Sequence, residues 1–493
     1  MSSSPPIIVW FRNDLRTADN PALSEAAANG APVLCIYIDP IGQDGLRPLG
    51  AASRWWLAGS LSALAVSLRA LGGSLTVLRG DPARIIPRLV EATGARAVFW
   101  NRRYVRAETE IDAGIKAALL QRGVAARSFN AHLLHEPWTI ASKAGGPMKV
   151  FTPFWRAALA SGPPDAPLPA PSRLAAASLP TGAGMEPLAV EQLGFEPTSP
   201  DWAGGMRAEW TRGELGARAR LDAFLDAGLA GYAEARNRPD QPATSMLSPH
   251  LRFGEISVRQ CWHAAIQAQA SLGAASQGDL ETFLKELGWR EFSYHLLHHN
   301  PGLAGTNYAP RFNAFPWRDD GRNLAAWQRG LTGYPIVDAG MRQLWTTGWM
   351  HNRVRMIVGS FLVKHLLIDW RRGEEWFWDT LVDADPASNA ASWQWVAGTG
   401  ADAAPYFRIF NPILQGEKFD PDGAYVKHWL PRLSRLPASL VHKPWTAPPA
   451  ILAAAGLRLG ETYPQPMVQH EFARARALEA FRQMGGENAL NEA

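Results

Sequence analysis

Five short apolar runs constrain the first 130 residues more than any other feature. Ile7–Phe11 and Pro32–Ile38 read as short buried strands, and Ser74–Leu78, Ala97–Trp100 and Ala125–Phe129 complete a set of five. Helical patterns fall between them, most clearly over Ala51–Leu71, where apolar residues recur at three and four. Strands separated by helices are expected to pair in parallel through crossovers. The segment therefore predicts a doubly wound sheet covered by helices. No G-x-G-x-x-G follows the first strand and there is no Walker A sequence, so neither a dinucleotide nor a nucleoside triphosphate fingerprint is present.

The pattern changes after residue 130. Residues 131–208 read as a linker, and Pro163–Pro200 within them is rich in Pro, Ala and Ser, as expected of a connector wrapped on the surface. From 209 to 480 the patterns are helical almost throughout, which predicts an all-α domain. Residues 481–493 read as a short tail, too little for a signalling extension.

At 493 residues the chain is long enough for two or three domains with large cores. It carries a formal charge of +4, with 8 Lys out of 49 basic residues, which leaves 41 Arg. Arginine suits phosphate and base edges, but GC-rich coding explains the same excess and is the first reading of it. The two cysteines, Cys35 and Cys261, sit in apolar segments, which argues against disulfides and cysteine metal sites. Met1–Pro6 has no basic region, and the apolar stretch Met356–Val363 is too short to span a bilayer. A reducing cytoplasm is expected. There are 21 Trp, of which 13 lie between Trp262 and Trp445. Core packing explains any one of them, but explains the clustering beside polar residues less well.

Four segments of the helical part could carry chemistry. Thr244-Ser245-Met246-Leu247-Ser248-Pro249, followed by Gly254-Glu255-Ile256-Ser257, offers hydroxyls before a helix, either to hold a phosphate or as an ordinary capped start. Glu286, Trp289 and Arg290 share a helical face, either to stack on and read a base or as an i, i+4 ion pair between Glu286 and Arg290. Trp349, Asn352, Arg353 and Met356 are expected on one helical stripe, a poor core face, either as a ligand wall or as a helix–helix seam with paired charges. Asp383 and Asp385 lead to Asn389, Trp393 and Trp395. Acidic groups there could pair with Arg355, and no ligand spacing points to a metal.

Together these segments closely resemble the photolyase/cryptochrome family, from Val9-Trp10-Phe11-Arg12-Asn13-Asp14-Leu15-Arg16 to Tyr463-Pro464-Gln465-Pro466. The runs Trp393-Gln394-Trp395 and Pro405-Tyr406-Phe407-Arg408-Ile409-Phe410-Asn411-Pro412 are highly specific. The resemblance implies an α/β antenna domain over 1–130, a linker, and a helical domain holding FAD. It implies that Tyr232, Thr244, Ser245, Met246, Leu247, Ser248, Phe283, Arg290, Trp349, Arg355, Asp383, Ala384, Asp385 and Asn389 contact FAD. Asn389 would face flavin N5, the photolyase-like choice where plant cryptochromes tend to have Asp.

The partner it implies is ultraviolet-damaged DNA, bound by a monomer. Glu286, Trp289, Arg290, Asn352, Met356, Trp395 and Gln415 would hold the lesion, and Met356 points to cyclobutane pyrimidine dimers. Glu286, Asn389 and Met356 are the implied catalytic residues, and Trp393, Trp370 and Trp317 the implied electron relay. The implied chemistry is electron transfer from excited reduced flavin to a flipped-out dimer. A methenyl-folate antenna contacted by Glu108 is expected. The histidine that helps hold folate in some relatives has no counterpart over 42–49, so a deazaflavin or no antenna stays open. The alternative is a cryptochrome-like blue-light receptor.

Overall fold

The computed structural model describes residues 4–41, 45–182, 184–273, 276–403, 405–406 and 408–485. Phe407, residues 42–44 of the antenna stretch and the tail from 486 lie outside the described residues.

The five apolar runs form strands β1 (Ile7–Phe11), β2 (Val33–Asp39), β3 (Leu75–Arg79), β4 (Ala97–Asn101) and β5 (Ala125–Phe129). All neighbouring pairs are parallel, in the order β3-β2-β1-β4-β5. Ile8 and Trp10 face one apolar layer, while Ile7, Val9 and Phe11 face the other. That alternation is why the β1 run is apolar at every position, whereas the edge strand β5 leaves Ala125 and Arg127 exposed. The strand order reverses between β1 and β4, where an open α/β sheet usually binds its ligand. Here the crevice holds the chain's own polar groups. Arg12 pairs with Asp112 at 3.0 Å and stacks on Trp10, and Asn101 donates to Asp14 at 2.6 Å.

The linker region is more ordered than its composition predicts. It contains the helix Phe151–Ala160, whose Phe154 and Trp155 are buried in the core of the helical part. Further along, single bridges join Ala176 to Val33 and Leu188 to Val77, so this stretch is fastened to the sheet. The remainder is helical, including Gln277–His299, Pro335–Thr347, Asn352–Ser360, Trp370–Thr380, Ser388–Ala397 and Pro412–Phe419. The last helix, His470–Gly485, runs past the expected start of the tail at 481.

Residues 348–351 form a joint, and the single stripe expected for Trp349, Asn352, Arg353 and Met356 does not form. The 335–347 helix stops at Gly348, whose φ of +68° favours glycine. The next helix starts at Asn352 and is capped by His351, whose side chain accepts from the Arg353 N–H at 3.2 Å. Trp349 is thereby turned independently of the three residues that follow.

Candidate functional site

A cavity of about 580 Å³ lies among the helices. Its wall draws on segments separated by more than 160 residues, including Tyr232, Ser245, Leu247, Ser248, Phe283, Glu286, Trp289 and Arg290. It continues through Trp349, Asn352, Arg355, Met356, Asp383, Ala384, Asp385, Asn389, Trp393 and Trp395. Most of the residues singled out from the sequence therefore converge on one space.

Some do not. Thr244 is outside the wall, and Met246 packs towards the N-terminal core, its sulfur 3.3 Å from the Arg220 guanidinium. Gln415 stands on the 412–419 helix, also outside the wall. Glu108 belongs to the α/β domain and pairs with Arg103 at 3.3 Å. Trp370 and Trp317 lie behind the wall in the core cluster that includes Trp393.

Ser248 opens a six-residue helix that has no side-chain cap. The expected alternative of an ordinary capped start holds at Ser257, whose side chain accepts from the Gln260 N–H at 3.0 Å and caps the helix Val258–Leu272, while Ser248 Oγ accepts from Trp349 Nε1 at 3.2 Å. This bond orients the tryptophan as a wall.

Glu286 makes no i, i+4 pair with Arg290. Its partner is Arg236, 2.7 Å away, which also lines the cavity and was not among the expected residues. About 30% of the Glu286 side chain stays open, yet desolvation in the cleft still raises its carboxyl above the ordinary range, against the pull of Arg236. Arg290 is occupied elsewhere. Its guanidinium donates to the His132 carbonyl at 2.8 Å and meets His132 Nε2 at 2.7 Å. It therefore braces the wall more than it offers donors to a ligand.

The acidic end is built from paired groups. Arg355 forks onto Asp383 with bonds of 3.1 and 2.8 Å and anchors its own Nε on the Met350 carbonyl. Asp385 accepts from the Ala387 and Ser388 N–H groups and from the Tyr294 hydroxyl. Asn389 donates from its amide nitrogen to the carbonyl and the side chain of Glu374, at 3.1 and 2.8 Å. Its carboxamide oxygen is left for the cavity.

A flavin fits these residues. Arg252 is buried in the wall, spends Nε on the Ala384 carbonyl, and has an Nη1 with no protein partner. A buried guanidinium nitrogen without an acceptor is costly unless a ligand supplies one. Together with the free Asn389 oxygen, it offers both a donor and an acceptor among the aromatic walls of Trp349 and Trp393. Serine hydroxyls stand at Ser245 and Ser248.

A parallel-sheet domain joined to a helical domain with such a cleft defines a cofactor-binding, two-domain protein. Residues 7–172 match the family model described as DNA photolyase, and residues 283–483 match the FAD binding domain of DNA photolyase. The chain is 53% identical to the deoxyribodipyrimidine photo-lyase of Agrobacterium fabrum over 97% of both chains. It is 40% identical to cryptochrome-1 of Arabidopsis thaliana, over 97% of this chain and 70% of that protein. The crystal structure of a class III photolyase from Agrobacterium tumefaciens superposes with a TM-score of 0.93 at 52% identity, covering 98% of this chain and 99% of that one. The chain belongs to the photolyase/cryptochrome family, and its helical domain is a FAD-binding domain.

Among the residues that sequence reasoning missed, Arg236, Arg252 and Glu374 matter most. Arginine is so common here that no single one stands out, and Glu374 sits in a charged run with nothing local to distinguish it.

Proposed function

We propose that this protein is a light-driven DNA repair enzyme that splits cyclobutane pyrimidine dimers, working on ultraviolet-damaged DNA as a monomer in the cytoplasm. The observation that carries this reading is that one cavity gathers both sets of residues. It brings the lesion-type residues Glu286, Trp289, Asn352, Met356 and Trp395 into one space with the flavin-type residues Arg355, Asp383, Asp385 and Asn389.

When bound in its reduced form, FAD would supply the light-driven electron transfer that opens the dimer, and it would be held by Arg355, Asp383, Asp385 and Asn389. The protein's own residues bind, orient and shield. Trp289 and Trp395 present aromatic faces for a flipped-out dimer, at about 1–3 kcal/mol of stacking per base. That offsets the few kcal/mol of unpairing, which is smallest at a damaged step. Asn352 is exposed at the mouth and supplies an amide to the base edges. Glu286, held by Arg236, donates a hydrogen bond to a dimer carbonyl when protonated or accepts one from a ring N–H when ionised, and the upward shift of its carboxyl moves it towards the donating form. Arginines around the cleft bind phosphates, so affinity should fall steeply with salt.

Trp393 forms part of the wall, Trp370 is fully buried, and Trp317 is half-buried on the same core cluster. Their order from cavity wall through buried core to partly exposed position supports a role in carrying electrons from the surface to the cavity. A methenyl-folate antenna beside Glu108 is the proposed second chromophore. Among the described residues no helix is long and apolar enough to cross a membrane.

The test uses purified, chemically reduced protein, an oligonucleotide carrying one cyclobutane dimer, and blue light. Restored thymine absorbance is the expected result. Its absence would favour the receptor reading, which similarity to plant cryptochrome-1 keeps as the second choice.

A further inference from the structure

Arg47 belongs to the N-terminal part, yet it reaches into the helical domain. Its guanidinium forks onto Glu374 with bonds of 2.7 and 2.8 Å and lies 4.2 Å from the centre of the Trp378 ring. The carboxylate of Glu374 is nearly inaccessible, with 3% of its side chain exposed. The Glu374 oxygen that meets Arg47 also accepts the amide N–H of Asn389. A continuous line of contacts thus runs from Arg47 through Glu374 to a residue of the cavity wall.

The seam around Arg47 is built to hold that position. Trp378 Nε1 donates to the Pro48 carbonyl at 2.8 Å, and the Ala51 N–H donates to Asp379 at 2.9 Å. A Cβ at Gly50 would collide with the Trp378 carbonyl oxygen, so the segment is seated directly on the 370–380 helix.

We infer that Arg47 is a positioning residue that fixes the polarity of Asn389 towards the cavity and thereby favours the reduced form of the bound flavin. The inference rests on the FAD reading of the cavity. Both contacts of the Asn389 amide nitrogen are to oxygens of Glu374, so its carboxamide oxygen must face the other way. Reducing an isoalloxazine adds hydrogen to a ring nitrogen and turns an acceptor into a donor. A fixed carbonyl oxygen complements the N–H form and not the oxidised one. Without Arg47, a buried carboxylate loses its counter-charge. It can swing away, which leaves Asn389 with only its bond to the Glu374 main-chain carbonyl and frees the amide to rotate.

The test is spectroelectrochemical titration of full-length, FAD-loaded protein, with flavin content read from visible absorbance. Wild type is compared with Arg47→Met, which keeps a stem over Trp378, and with Arg47→Lys and Asn389→Ala. The expected result is full flavin content in all four. R47M and N389A should each disfavour the reduced form about tenfold, a drop of about 30 mV for a two-electron couple. R47K should recover part of the shift, and the double variant R47M/N389A should fall no lower than N389A alone. A shift in N389A with none in R47M would overturn the role of Arg47. So would loss of flavin in R47M, which would make the ion pair a structural seam. An unmoved midpoint in N389A, or a wild type that holds no FAD, would overturn the reading of the cavity itself.

Discussion

Phe151 lies flat against Trp289, with ring centroids 3.8 Å apart and planes within 8°. The two come from different parts of the chain, Phe151 from the first turn of a helix in the linker region and Trp289 from the cavity wall. The Phe151 N–H is tied to Asp402 at 3.0 Å. One face of Trp289 is therefore already occupied and its tilt is set before any base arrives.

Trp289→Ala should weaken binding of dimer-containing DNA by about 1–3 kcal/mol, which is roughly five- to 150-fold. Phe151→Ala should produce a smaller loss in the same direction, and neither should much affect undamaged DNA. Fluorescence titrations with matched oligonucleotides would check this. Equal losses on both DNAs would mean that Trp289 serves the fold and not the lesion.

Trp393→Phe should slow the photoreduction of bound flavin and leave repair by chemically reduced protein largely intact. Trp393 touches the cavity, and its ring packs 5.0 Å from Phe377, so phenylalanine can hold much of its volume. Flash absorbance measures the first effect and thymine recovery the second. Loss of both would remove Trp393 from an electron relay.

Arg355→Ala should destabilise the protein by about 3–5 kcal/mol and reduce its flavin content, because Asp383 would be left buried without its partner. Removing both charges together, as Arg355→Met with Asp383→Asn, should cost less than the single change. Thermal melts with and without added FAD would show the difference.

Glu291 gives a pH signature. Burial pushes its carboxyl up to about 7, although Arg290 and the N–H groups of Leu134 and His135 pull it down. The folded protein thus holds this proton more tightly than the unfolded chain, whose glutamates titrate near 4.5. The resulting stabilisation is fully present below about 4.5 and is lost as pH rises through 7. Its full size is of order 3 kcal/mol. Glu291→Gln should flatten that part of the stability curve, as measured by urea unfolding between pH 4.5 and 8. A parallel pair of curves would show that Glu291 does not carry the proton.

The parallel sheet was legible because each strand announces itself locally. Five apolar positions in a row are needed wherever both faces of a strand are covered, as at Ile7–Phe11. The helix at 151–160 was not, because Pro and Ala around it set the average and docking on the helical part, with Trp289 and Phe292 among its contacts, stabilises it. The joint at Gly348 was hidden for a similar reason. Glycine is tolerated in a helix, and its left-handed φ is decided by how the two flanking helices pack. The pairing of Glu286 with Arg236 could not be chosen over Arg290 from spacing, since both arginines satisfy the charge.

The tryptophans, the acidic pair and the family motifs were determined by sequence alone, because side-chain type and order along the chain are enough to establish them. Which of those residues share one cavity was decided only by tertiary structure. So was the reach of Arg47 to Glu374 across 327 positions. A contact between residues so far apart exists only after two domains have buried their surfaces against each other, and no local pattern encodes it.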